Sequence, residues 1–160
     1  MPASPRSVAE ELQQNKPFPT VAEEALVAVM RTAALVRRAL AHRVEPHGIS
    51  PAQYNVLRIL RGAGDTGLPT LAVRDRLVEE APGITRLIDK LEAAGLVRRD
   101  RTAKDRRTVR CHITPAGLAL LERMDAPVRE VQAMFAAAMP DAADQRRLVD
   151  LLARTRAAIG

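Results

Sequence analysis

Seven basic side chains crowd the stretch from Arg98 to Arg110: Arg98, Arg99, Arg101, Lys104, Arg106, Arg107 and Arg110. Only Asp100 and Asp105 oppose them, a net of +5 in a chain whose whole formal charge is +6. Charge so concentrated suits an anionic partner, and a nucleic-acid backbone attracts it strongly because each neutralised phosphate releases condensed counterions. Just upstream, Pro82 to Ala94 reads as a helix carrying Ile84, Leu87, Ile88 and Leu91 at i, i+3, i+4 and i+7, an apolar stripe that must face a core. The opposite side presents Gly83, Thr85, Arg86, Asp89 and Lys90. A DNA major groove about 12 Å wide accepts a helix, and an arginine can donate two hydrogen bonds to guanine O6 and N7. Thr85 and Arg86 are therefore candidates for base or phosphate contact and Lys90 for phosphate contact. On an isolated helix the same residues would be ordinary solvated side chains.

What turns those side chains into a site is the set of elements around them. Gly62, Gly64 and Gly67 break the chain before a short helix from about Thr70 to Leu77, and the next helix follows after only a few residues, which is helix-turn-helix spacing. After Gly95 the pattern becomes extended: Leu96 and Val97 lead into the basic stretch, and Val109, Cys111 and Ile113 alternate with Arg110 and His112. Two strands joined by a long polar turn would fix the position of the charge run. Together these elements make a winged helix. Besides the three candidates above, Thr70, Pro82 and Gly83 belong to its contact face, and Arg99, Asp105, Arg106 and Arg107 to its wing.

The rest of the chain must carry this lobe. Residues 1–19 hold Pro2, Pro5, Pro17 and Pro19 among polar residues and read as a flexible arm. Thr20, with Glu23 three positions on, is an N-cap candidate for a long helix whose apolar residues Ala22, Leu26, Val29, Ala33, Val36 and Leu40 recur at steps of three and four. Val27, Met30, Ala34 and Leu35 make adjoining faces apolar too, so this helix is either buried centrally or part of a subunit interface. Pro46 and Gly48 end it, and Ser50 caps the next helix, with Pro51 at its first position and Tyr54, Leu57, Ile59 and Leu60 on its buried side. Two further helices close the chain, one from Pro115, which Pro127 should bend or break, and one from Asp141. The expected architecture is mainly α: one domain over residues 20–160, with a winged lobe at about 50–114 and a helical lobe built from about 20–45 and 115–159.

Several chemistries find no support. His42, His47 and His112 are scattered and no cysteine cluster accompanies them, so no metal or cofactor is expected. Neither a glycine-rich phosphate loop nor a nucleophile elbow is present, and Ser4, Ser7 and Ser50 lie in the arm or at a cap, so no enzyme is expected. Asp89, Asp100 and Asp105 read as pairing groups. Cys111, the single cysteine, excludes an intramolecular disulfide and fits a reducing compartment. It shares the inward phase of Val109 and Ile113, so it reads as a small buried hydrophobe. No apolar run approaches a membrane span, and the chain is expected to be soluble, cytoplasmic and free of membrane partners.

The run from Pro82 to Arg99, then Asp105 to Arg107, then Ile113 to Gly117 resembles the MarR family of bacterial regulators. That family's wing carries Asp-x-Arg, five residues, then Leu-Thr; Asp105, Arg107, Ile113 and Thr114 match it with Ile for Leu. One departure is Ala81 ahead of Pro82, where Ser, Thr or Asp would be expected as a cap. The resemblance implies that Arg107 enters the minor groove while Asp105 pairs with it and holds its direction. It implies that the first helix and the last two interlock between subunits, giving a homodimer that offers two recognition helices to a pseudo-palindromic site. Half-site centres would then lie one helical turn, about 34 Å, apart. A ligand-responsive repressor of double-stranded DNA, with a small-molecule effector, is what the resemblance implies for function. One branch of the family senses hydroperoxides through a cysteine in its first helix, and that helix has none here. Outside the resemblance, a protein-interaction module with an acidic partner and an enzyme acting on nucleic acid remain as alternative readings of the basic hairpin.

Overall fold

The computed structural model describes residues 6–79, 83–101 and 109–160. Local signals place most of the helices. Thr20 adopts an extended backbone and its hydroxyl accepts from the Glu23 N–H at 3.2 Å, starting α2 (Val21–Val44). Its first turn holds Glu23 and Glu24 and its last His42 and Arg43, the arrangement that the helix dipole favours. Ser50 and Gln53 form a reciprocal capping box, Gln53 N–H donating to the Ser50 hydroxyl at 3.2 Å and Ser50 N–H to the Gln53 side chain at 2.9 Å. That box starts α3 (Pro51–Ala63). Thr114 caps α6 (Pro115–Ala138) and Asp141 caps α7 (Ala142–Ile159).

The winged lobe consists of α3 followed by β1 (Leu68–Pro69), α4 (Thr70–Arg74), α5 (Ile84–Ala93), β2 (Val97–Arg101) and β3 (Val109–Ile113). The strands form one antiparallel sheet in the order β1-β3-β2. Val97 pairs with Ile113, Arg99 with Cys111 and Arg101 with Val109, while Leu68 lies opposite Cys111 on the other edge. The core fills the space between this sheet and helices α3, α5 and α6. Leu57, Leu60, Ile88, Leu91, Val97, Cys111, Leu121 and Met124 are all closed off from solvent or nearly so. A fully buried leucine stabilises by roughly 2 kcal/mol, so the eight side chains are a large share of what holds the lobe together.

Four features differ from the sequence expectation. The arm contains a helical turn, α1 (Val8–Glu11), capped reciprocally by Ser7 and Glu10 and joined to α2 by an Arg31–Glu11 ion pair at 3.0 Å. Strand β1 is new, a two-residue piece that exists only because β3 supplies its partner. Helix α4 ends at Arg74, short of Leu77, which follows it in a tight turn. Helix α5 starts at Ile84, with Gly83 as its N-cap at φ 97°, a left-handed conformation that a side chain would oppose. Of the bend or break expected at Pro127, the break does not occur, since α6 runs through that residue. The hydrogen bond lost at a proline without an N–H is outweighed by the burial of Leu120, Leu121, Met124, Val128 and Val131 along the same helix.

Candidate nucleic-acid interface

Helix α5 turns its apolar stripe fully inward: Ile84, Ile88 and Leu91 are buried and Leu87 packs against the same core. Its outer side is correspondingly fixed. Gly83, Thr85, Arg86 and Lys90 are all exposed, and neither Arg86 nor Lys90 has an ion pair among the described residues. The turn leading to α5 is tied back to α3, since the Val78 N–H donates to the Asn55 side-chain oxygen at 2.9 Å. An exposed Arg37–Glu79 pair at 3.2 Å joins the same turn to α2 and adds little stability on its own.

The base of the wing is less open than a run of seven cations suggests. Arg98 pairs with Asp100 at 3.2 Å, and Arg110 donates to the Thr66 and Gly67 carbonyls at 2.9 and 3.1 Å. Arg99 faces α5, where it pairs with Asp89 at 2.6 Å and with Glu92 at 2.9 Å. Burial works against the charge of Arg99, but the hydrogen bond to Asp89 and the charges of Glu92 and Asp89 outweigh it, so its pKa is raised above the ordinary arginine value. Asp89 and Asp100 thus act as the pairing groups expected of them. Glu92 was not singled out. Its spacing of three from Asp89 on the outer face of α5, and the phase of Arg99 in β2, are the signals that could have found it.

Pro82, Asp105, Arg106 and Arg107 lie outside the described residues, as do Lys104 and the expected Asp105–Arg107 pairing. Thr70 is half-buried at the start of α4, with its hydroxyl 3.6 Å from the Cys111 sulfur. Cys111 is fully buried. His112, which alternates in sequence with Cys111 and Ile113, is also buried. The reason is Gly67, whose backbone at φ 57° lies so close to the imidazole that a Cβ there would come within 2.6 Å of His112 Nδ1. Among the described residues no group of three His, Cys, Asp or Glu could hold a metal ion, and no helix is long and apolar enough to cross a membrane.

On the lobe's outer side, α3 and α6 border an open groove of about 240 Å³ lined by Tyr54, Arg58, Arg61, Asp125, Val128, Arg129 and Gln132. The Arg58 guanidinium lies 5.9 Å from the centre of the Tyr54 ring, and Arg61 approaches Asp125 at 3.5 Å. Arg58 and Arg129 bring two further cations to the same groove.

With this geometry in view, comparison with known proteins is informative. The family described as "MarR family" matches residues 47–108. A putative transcriptional regulatory protein for the hcr operon of Thauera aromatica is 31% identical over 107 residues, 67% of this chain. The chain spans 63% of that curated relative's length. The crystal structure of a MarR transcription factor from Planctomyces limnophilus superimposes with a TM-score of 0.65 at 34% identity, covering 85% of this chain and 98% of that one. At 18% identity, the S. aureus MepR–DNA complex shares the fold with a TM-score of 0.76 over 89% of this chain and 99% of that one.

Proposed function

The chain belongs to the MarR family, a winged helix-turn-helix family of transcription regulators, and from that premise we propose that it binds a pseudo-palindromic DNA operator as a homodimer. The observation that carries this reading is the division of α5 into a buried stripe and an exposed face bearing Thr85, Arg86 and Lys90. A helix held so firmly by its apolar side presents the other side at a fixed angle, which groove recognition requires. Arg86 is the candidate for guanine contact, Lys90 for phosphate, and Arg106 and Arg107 for the adjoining minor groove, where Asp105 would pre-orient Arg107 and lower the entropy lost on docking. Repression in the cytoplasm is the regulatory outcome we favour.

Dimerisation is supported by apolar surface that one chain leaves uncovered. Leu26 and Met30 of α2, Phe135 of α6 and Leu151 of α7 are exposed, and no residue of α7 is buried. An 18-residue helix with no buried residue has no reason to hold its place unless a second surface covers it.

Selection of bound duplexes from random DNA tests the reading. We expect an enriched inverted repeat with half-site centres about one helical turn apart. Binding should weaken steeply with salt, and Arg86→Ala should relax preference at one base position of each half-site. No enriched sequence at physiological salt would refute the proposal.

A further inference from the structure

We infer that Arg99 is a positioning residue that holds α5 and the wing at one fixed angle, and that it does not itself touch DNA; the inference rests on the DNA-binding reading above. The register of the hairpin places Arg99 opposite Cys111, on the face that also carries buried Val97. From there its guanidinium reaches along α5. Nη2 donates to Asp89 Oδ1 at 2.6 Å and to the Thr85 carbonyl at 3.4 Å, and Nη1 donates to Glu92 Oε2 at 2.9 Å. The second oxygen of Glu92 accepts the Arg99 backbone N–H at 3.0 Å, so the strand itself is fastened to the helix as well as the side chain. Residues 85, 89 and 92 are spaced by four and three, so one side chain binds successive turns of the same helix face.

This network separates Arg99 from the other cations of the interface. The side chain is only 24% exposed, whereas Arg86 and Lys90 are exposed without an ion pair among the described residues. Its single positive charge is opposed by two carboxylates at bonding distance, so the trio carries a net charge of −1 and offers a phosphate no attraction. Charge-assisted hydrogen bonds to two acceptors at once are, by contrast, directional and resist rotation of the helix.

Positioning matters because α5 is short. Ten helical residues span about 15 Å, so a tilt of a few degrees at one end displaces the other by about 1 Å, enough to spoil a paired hydrogen bond to a base edge. Losing one such pair costs about 10- to 100-fold in discrimination between the right and wrong base.

The test uses the full chain, an operator duplex selected from random DNA and a scrambled duplex of equal length. Arg99→Met keeps the aliphatic stem and removes the donors; Asp89→Ala with Glu92→Ala keeps Arg99 and removes its acceptors at helical positions, one exposed and one half-buried, that favour alanine. The expected result is that both changes reduce the ratio of operator to scrambled affinity by about 10-fold. The salt dependence of scrambled-DNA binding should stay within a fraction of one unit of the wild-type slope for Arg99→Met. If Arg99 were instead a phosphate contact, Arg99→Met would lower that slope by about one, and freeing Arg99 from its acids would strengthen binding with the ratio intact. Either of those results overturns the assignment. Asp89→Ala alone, removing one exposed carboxylate, provides the same comparison if Arg99→Met fails to fold. Arg99→Lys should recover only part of the ratio, because one ammonium cannot span both acids. A wild-type chain that prefers no duplex would sink the DNA-binding reading itself, whereas wild-type preference with unchanged variant ratios would remove Arg99 alone.

Discussion

Leu57, Leu60, Ile88 and Leu91 of the winged lobe are sealed from solvent, whereas Leu26, Met30, Phe135 and Leu151 of the helical lobe stand on the surface of the same chain. The two regions have similar kinds of residue and dispose of them differently. In the winged lobe, a sheet and three helices close around one core, so its stability is internal. In the helical lobe, α2 packs against α6 yet buries only Val44, and α7 buries nothing, so much of the apolar surface along both helices is left uncovered within the chain. A completed lobe beside an uncompleted one is the arrangement expected if the uncompleted lobe serves to join two copies and so to space two completed ones.

The largest effect should come from the sealed side. Leu57→Ala would remove a fully buried side chain of α3 and should lower the unfolding free energy by about 3 kcal/mol, read as a fall in the urea midpoint at fixed protomer concentration. A loss below about 1 kcal/mol would mean that the winged lobe is not a tightly packed core, and the contrast between lobes would collapse. On the open side, Leu26→Glu changes an exposed residue, so the helical content of the chain should be kept. Self-association should nevertheless weaken by about 100-fold, equivalent to roughly 2.7 kcal/mol, in sedimentation equilibrium. A monomeric wild-type chain, or an unaltered association constant in Leu26→Glu, would break the comparison from this side.

The same division governs how much the sequence discloses. Signals confined to neighbouring residues were readable: Thr20 with Glu23 and Ser50 with Gln53 announce their helices because each cap is closed by a residue three positions away. Strand β1 was not readable, since Leu68 and Pro69 have no strand pattern of their own and are extended only through pairing with Cys111 and Arg110 far along the chain. The start of α5 was misplaced because proline at a first helical turn is a common local signal, and only the left-handed backbone of Gly83 shows where the helix begins. Composition alone groups Arg99 with the other cations of the stretch, as one among seven. Its place on the inner face of β2 depends on strand phase and on Asp89 and Glu92, both of which lie across a turn from it. His112 shows the converse limit, because its burial comes from the approach of Gly67, a loop residue whose position no periodicity encodes. The apolar pattern along α2 is compatible with either a buried helix or an interface, and only the fold shows that Leu26, Val29, Met30 and Leu35 are left exposed.

The smallest expected effect lies at the edge of the helical lobe, where α1 is joined to α2 through Glu11 and Arg31. Glu10 accepts the Ser7 backbone N–H at 2.7 Å and the Ser7 hydroxyl at 3.1 Å, and these bonds, with the nearby charge of Arg6, lower its pKa below the ordinary glutamate value. A carboxylate with a depressed pKa contributes order that is complete above the unfolded value, about 4.3, and is lost as pH falls through the lower folded value. Following the Glu10 side-chain resonance by NMR should therefore give a midpoint below 4.3, with loss of helical shifts at Val8 to Glu11 over the same interval. Ser7→Ala removes the hydroxyl but leaves the backbone N–H, the largest single cause of the lowering, so the midpoint should move only part of the way back. Because Glu10 is exposed, global unfolding should be unchanged by this titration. An ordinary midpoint in the wild-type chain would show that the Ser7–Glu10 box is not closed in solution, and α1 would then be no part of the helical lobe.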